Sequence, residues 1–137
     1  MFKVALYLLI AVILAIFLLP FFYTVSPYQL DPSKILQAPS LEHLFGTDRL
    51  GRDMLARILE GGQTSLIIGF LAASISSIVG LFIGINAGYF KGNIDKTITI
   101  MIDLFLTFPT FFLLLALVSY IQASALILII VISVTGW

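Results

Sequence analysis

Seven of the fourteen charged side chains fall between Glu42 and Glu60, in the order Glu-His-Leu-Phe-Gly-Thr-Asp-Arg-Leu-Gly-Arg-Asp-Met-Leu-Ala-Arg-Ile-Leu-Glu. Carboxylates, guanidinium groups and an imidazole at this density could serve acid–base catalysis, metal binding or anion recognition. The pattern lacks what each of these needs. His43 is the single histidine, so a multi-histidine metal site is excluded. No serine stands beside a base, and no glycine-rich phosphate loop is present. The chain has no cysteine, which removes disulfides, thiolate metal sites and a cysteine nucleophile. His43 reads as a loop residue, and no motif implies a cofactor or an enzyme.

The block must instead be positioned by its own local structure. Tyr28 to Ser40 carries Pro32 and Pro39, with Pro27 just ahead, together with Asp31 and Ser33, and reads as an extended loop with turns. After Gly46, Thr47 is a suitable N-cap and Asp48 suits the positive end of a helix dipole. Leu50, Met54, Leu55, Ile58 and Leu59 then recur at helical spacing, and Gly61-Gly62 would end the run. Asp48–Arg52, Arg49–Asp53 and Asp53–Arg57 are opposite charges four residues apart, each pair worth a few tenths of a kcal/mol on a helix. The expectation is a helix over 47–60, either a solvated surface helix or an amphipathic helix lying in the membrane interface with its apolar side down.

The segments on either side are greasy. The chain of 137 residues is 61% hydrophobic and 10% charged, with mean hydropathy +1.16, far from the roughly one-quarter charged of a soluble domain. Net charge is zero, which gives no reason to expect nucleic acid or a polyanionic substrate. Three runs, at about 4–23, 65–89 and 98–120, are long enough for the ~20 apolar residues that cross hydrocarbon. The first could be a secretory signal behind Lys3, but it is longer than a signal core and leaves through Pro20, Phe21, Phe22 and Tyr23, an interfacial aromatic belt. A fourth run, 123–137, is apolar but short for a span. It suggests either a shallow or re-entrant helix or a polypeptide that continues, and the second reading is preferred. Lys3, Lys91 and Lys96 flank the spans densely, whereas loop 24–64 spreads Lys34, Arg49, Arg52 and Arg57 over a long stretch. The basic-residue rule therefore puts the N-terminus in the cytoplasm and the loop outside. The fold expected is all-α and polytopic: three complete spans, a truncated fourth, and the interfacial helix in the first external loop.

Inside the spans, Ala72, Ser76, Gly80, Gly84 and Gly88 follow one another at intervals of four, a face without bulk that lets helix backbones approach in lipid. Pro109 interrupts the third span, which either frees carbonyls towards a cavity or merely aids packing. Asp103 is that span's only charge. An intramembrane carboxylate is a functional candidate, although near a cytoplasmic end solvation or pairing with Lys96 is the cheaper account.

Taken in sequence, His43-Leu-Phe-Gly-Thr-Asp-Arg-Leu-Gly-Arg-Asp-Met-Leu-Ala-Arg, Gly61, Ser65-Leu66, Ala87-Gly88-Tyr89-Phe90-x-Gly92 and Asp103 with Pro109 resemble the permease subunit of bacterial ABC importers for dipeptides, oligopeptides and nickel, specifically the second (C-type) permease of the pair. The resemblance runs from about residue 2 to the end. Its most specific part is the core of Phe45, Gly46, Thr47, Asp48, Gly51, Arg52 and Asp53. It implies a bacterial inner-membrane helical protein in membrane lipid, a homologous permease partner, cytoplasmic ATPase subunits that supply the energy, and an extracytoplasmic substrate-binding protein. It also implies an outer-face position for loop 24–64. Family members carry further spans and a cytoplasmic coupling helix that docks on the ATPase. That helix is not found in this sequence, so the chain reads as the N-terminal part of such a permease. The alternative is a small non-transporting membrane protein that uses its glycine face for assembly. An intramembrane enzyme would need a second deep polar group beside Asp103.

Overall fold

The computed structural model describes residues 2–107, 110–120 and 124–136. Its elements are α1 (Phe2–Leu18), α2 (Met54–Phe90), α3 (Gly92–Thr107), α4 (Thr110–Tyr120) and α5 (Ala125–Thr135), with short 3-10 turns at Leu19–Phe21 and Pro32–Lys34. The chain is all-helical: among the described residues there is no strand, only an isolated bridge between Thr47 and Asp53. It divides into two units, Met1–Ser65 and Leu66–Trp137.

Two helical stretches, Phe2–Phe21 and Met54–Phe90, are long and apolar enough to cross a membrane. Almost none of either apolar window is covered by protein, 0% and 6%, whereas the core helix of a soluble protein would be covered. Hydrocarbon is the solvent that suits such surfaces, and in hydrocarbon a single segment satisfies its backbone only by coiling. The first stretch stops at Pro20, whose ring cannot continue an α-helix; the amides of Phe22 and Tyr23 close on the Leu19 carbonyl at 2.9 and 2.8 Å.

The expected amphipathic interfacial helix over 47–60 is corrected by the structure. Residues 47–53 are not helical, α2 begins at Met54, and Gly61-Gly62 does not end it. Helix α2 runs on for 37 residues, about 55 Å at ~1.5 Å per residue, well beyond the ~30 Å of hydrocarbon. Arg57 and Glu60 therefore belong to the first turns of a long helix and not to a separate one. The glycine pair has a packing role instead. A Cβ on Gly62 would meet the Ile16 side chain at 3.0 Å, and Gln63 Nε2 donates to the Ile16 carbonyl at 3.0 Å, so α1 seats against α2 here. A Cβ on Gly61 would meet nothing within 4 Å. Gly62→Leu is expected to loosen this seat by about 1–3 kcal/mol, the usual cost of overpacking. Gly61→Leu is expected to be nearly neutral. Crosslinking between cysteines placed on α1 and α2 would measure both, and equal crosslinking in the two variants would refute the packing role.

In the second unit, α5 packs on α2 through small side chains. Ala72 and Ser133 are buried, Ser76 Oγ donates to the Ser133 carbonyl at 3.2 Å, and Ser133 Oγ donates to the Ile129 carbonyl at 2.6 Å. Ser124 caps α5, its hydroxyl accepting the Ile127 amide at 3.3 Å. The turn from α2 into α3 places Lys91 and Gly92 in the left-handed region, at φ 51° and 59°. Helix α3 starts at Gly92, directly after this turn, and its first residues are the polar ones that precede the span expected from about 98. Thr97, Thr99 and Thr107 return their hydroxyls to carbonyls four residues back, leaving little unpaired polarity on the surface. Pro109 lies outside the described residues.

Candidate functional site

The polar block folds as a clasp ahead of α2, and three of its features follow from residue chemistry. The first is Asp53. It occupies the N-cap of α2, its Oδ1 accepting the Ala56 amide at 2.7 Å. Its Oδ2 accepts the Tyr23 hydroxyl at 2.7 Å and the His43 Nδ1 proton at 2.9 Å. The side chain is 1% exposed. Burial opposes its charge, but the Ala56 amide, Tyr23 and His43 outweigh burial and hold the carboxyl below its ordinary value. The far nitrogen of His43, Nε2, faces Lys34 Nζ at 3.3 Å. An ammonium only donates, so Nε2 accepts and the imidazole proton sits on Nδ1, an assignment that follows from the two partners. Lys34 also pairs with Glu42 at 3.1 Å.

The second feature is Asp48, which gathers the turn 48–52 and the start of α2. Its Oδ1 accepts the amides of Leu50 at 2.8 Å and Arg52 at 3.0 Å, and its Oδ2 takes the guanidinium of Arg52 at 2.8 Å and that of Arg57. Burial raises its pKa, while the Arg52 and Leu50 amides and the Arg52 guanidinium lower it further, to about 2. The sign of the pH dependence follows. A carboxyl depressed in the fold adds stability above its ordinary value of 3.8 and loses that contribution as pH falls towards about 2. Protease resistance of the loop should therefore fall across this acid window, and Asp48→Asn should flatten that part of the profile. An unchanged profile would remove Asp48 from the account.

The third feature is a pair of glycines that must be glycine. Gly46 and Gly51 have φ +71° and +73°, and a Cβ there would meet the carbonyl oxygens of Gln37 at 2.3 Å and Asp31 at 1.9 Å. They let segment 31–37 lie directly against the motif. Thr47 joins the two: its amide donates to the Gln37 carbonyl at 3.1 Å, its hydroxyl accepts the Gln37 amide at 2.8 Å and donates to the Lys34 carbonyl. Thr47 is thus a cross-loop anchor, and the N-cap expected of it belongs to Asp53. Of the expected ion pairs only Asp48–Arg52 forms; Arg57 reaches Asp48 in place of Asp53, which is committed to Tyr23 and His43.

Phe45, the remaining core residue, is 58% exposed. The small-residue face divides: Ala72 and Ser76 meet α5, Gly80 is half-buried, and Gly84 and Gly88 are exposed, with no atom within 4 Å of a Cβ built on either. Asp103 is exposed on α3 and makes no ion pair among the described residues. Neither the face nor Asp103 belongs to the clasp. Tyr23 and Lys34 do belong to it, and sequence reasoning missed them. Their partners lie 30 and 9 residues away, and no local pattern announces such contacts.

Beside Asp53 opens a cleft of about 510 Å³, whose wall includes Gln29, Asp31, Lys34, Glu42 and His43. Among the described residues no group of His, Asp and Glu could hold a metal ion. The arrangement does mechanical work: it fixes the head of a long apolar helix to a folded loop.

No family model matches the chain. Individual curated proteins do. It is 40% identical over 126 residues to the dipeptide transport system permease protein DppC of Alkalihalophilus pseudofirmus, covering 90% of this chain and 41% of that protein. It is 37% identical over 120 residues to the oligopeptide transport system permease protein OppC of Mycobacterium tuberculosis, covering 88% and 40%. Against the probable D,D-dipeptide transport system permease protein DdpC of Escherichia coli it is 34% identical over 119 residues, covering 83% and 40%. The chain spans about two fifths of the length of these relatives.

Proposed function

We propose that this chain, which is similar along the segment it spans to dipeptide and oligopeptide transport permeases, belongs with them and forms part of the substrate pathway of an ATP-driven importer in the bacterial plasma membrane. The reading rests chiefly on 34–40% identity to named peptide permeases over most of the chain. Peptides are the proposed cargo, ahead of nickel, because these relatives are named for dipeptides and oligopeptides.

In this reading the segments at about 4–23, 65–89, 98–120 and 123–137 lie in the membrane. The N-terminus is cytoplasmic and loop 24–64, with its clasp, faces outward. A homologous second permease covers the exposed Gly84 and Gly88 face. An extracytoplasmic binding protein delivers substrate, and cytoplasmic ATPase subunits supply the energy. No chemistry is asked of the chain itself. Its contribution is a helix whose head is rigidly held, so that a displacement at one end is carried to the other, with each ligand biasing only the states it distinguishes. Deleting the gene in its source organism should abolish growth on a dipeptide that supplies a required amino acid and leave growth on the free amino acid intact. Growth on both would overturn the proposal.

A further inference from the structure

The cleft beside α2 has one wall held by an unusual contact. Lys34 crosses to His43 Nε2 at 3.3 Å and to Glu42 at 3.1 Å, while His43 itself is buried against Asp53. The groups that face the imidazole come from four places: Tyr23 and Asp31 from the segment after α1, Lys34 from the following turn, Glu42 from its own segment, and Asp53 from the head of α2.

We propose that His43 is a proton-operated latch on this cleft: neutral, it holds Lys34 across the wall; protonated, it releases Lys34 and takes Glu42 in its place. The lone pair that receives the Lys34 proton is the one a new proton would occupy. Once it is occupied, the hydrogen bond is gone, and an imidazolium and an ammonium face each other at 3.3 Å. Like charges in near-contact repel. The ring stays, because Asp53 grips Nδ1 at 2.9 Å. Lys34, on a flexible stem with its ammonium already partly in solvent, leaves. Glu42 then loses its partner and stands on the residue next to His43, available to accept from Nε2–H. The proton adds on the side of the ring away from Asp53, so the cap on Ala56 is untouched and the head of α2 stays fixed while the cleft opens. The latch stands on this geometry and does not depend on what the protein transports.

His43 is the single histidine, so histidine-selective 15N NMR of the whole chain in detergent gives one imidazole. Above its titration the ring should show the Nδ1–H tautomer. The acylation rate of Lys34, read by mass spectrometry against Lys91 in the same sample, should rise several-fold when the imidazole protonates, and should stay flat in His43→Gln. A neutral Nε2–H tautomer, which has no lone pair for Lys34, would overturn the latch. So would the same pH response of Lys34 in His43→Gln. The tautomer measurement needs no variant and stands even if His43→Gln fails to fold.

Discussion

Gly51→Ala is expected to break the clasp. The left-handed backbone at Gly51 costs an L-residue about 1–2 kcal/mol before any contact is considered. The larger effect is steric. The new Cβ would stand 1.9 Å from the Asp31 carbonyl oxygen and 2.6 Å from its carbon. Both are backbone atoms, so no side-chain rotation relieves the overlap, and segment 31–37 must lift from the motif. Lifting it breaks the Thr47–Gln37 and Leu36–Asp48 backbone contacts at 3.1 Å each and unseats Lys34 from His43. The total should reach the exceptional range for a single substitution, upwards of ~4 kcal/mol. The measurement is the thermal midpoint in detergent together with limited proteolysis between residues 30 and 50. A variant as resistant as the parent would mean that loop 31–37 does not lie where the structure places it.

Asp53→Ala should be nearly as damaging, by a different route. It removes a helix cap worth about 0.5–2 kcal/mol. It also leaves the His43 Nδ1 proton without its acceptor and the Tyr23 hydroxyl with only the long contact to the Glu42 carbonyl at 3.4 Å, a further ~1–3 kcal/mol. Asp53→Asn keeps an oxygen for the Ala56 amide and should recover the cap but not both remaining contacts. A spectroscopic signature separates this from general instability. Tyr23 donates its hydroxyl to the Asp53 carboxylate at 2.7 Å, so in Asp53→Ala the near-ultraviolet absorbance of one of the five tyrosines should shift. A difference spectrum with no tyrosine band would show that Tyr23 and Asp53 do not meet.

The helices were legible because their signal is simple. Long uncharged runs have few alternatives in lipid, and α1 and α2 appear where Val4–Phe22 and Ser65–Tyr89 are apolar. The clasp was half legible. Its membership could be read from density and motif, but its form could not. Asp48 and Arg52 stand four apart, a spacing that serves a helical ion pair and equally an aspartate turn closed by its own arginine. Thr47 and Asp53 are both good caps, and the choice between them was made by Gln37, Lys34, Tyr23 and His43, which the local pattern does not contain. Gly61-Gly62 looks like a stop signal, yet one of the pair makes room for Ile16 on a distant helix. Local pattern settles which segments coil. Contacts over 10–30 residues decide where a polar helix begins.

In the proposed arrangement, loop 24–64 folds as a clasp on the outer side of the membrane, between α1 and the body of α2. The chain has no cysteine, so one introduced at the almost fully exposed Leu41 is the single thiol. In intact spheroplasts a membrane-impermeant maleimide should label Leu41→Cys at once, and breaking the cells should add nothing. Labelling that appears only after the membrane is opened would contradict the account.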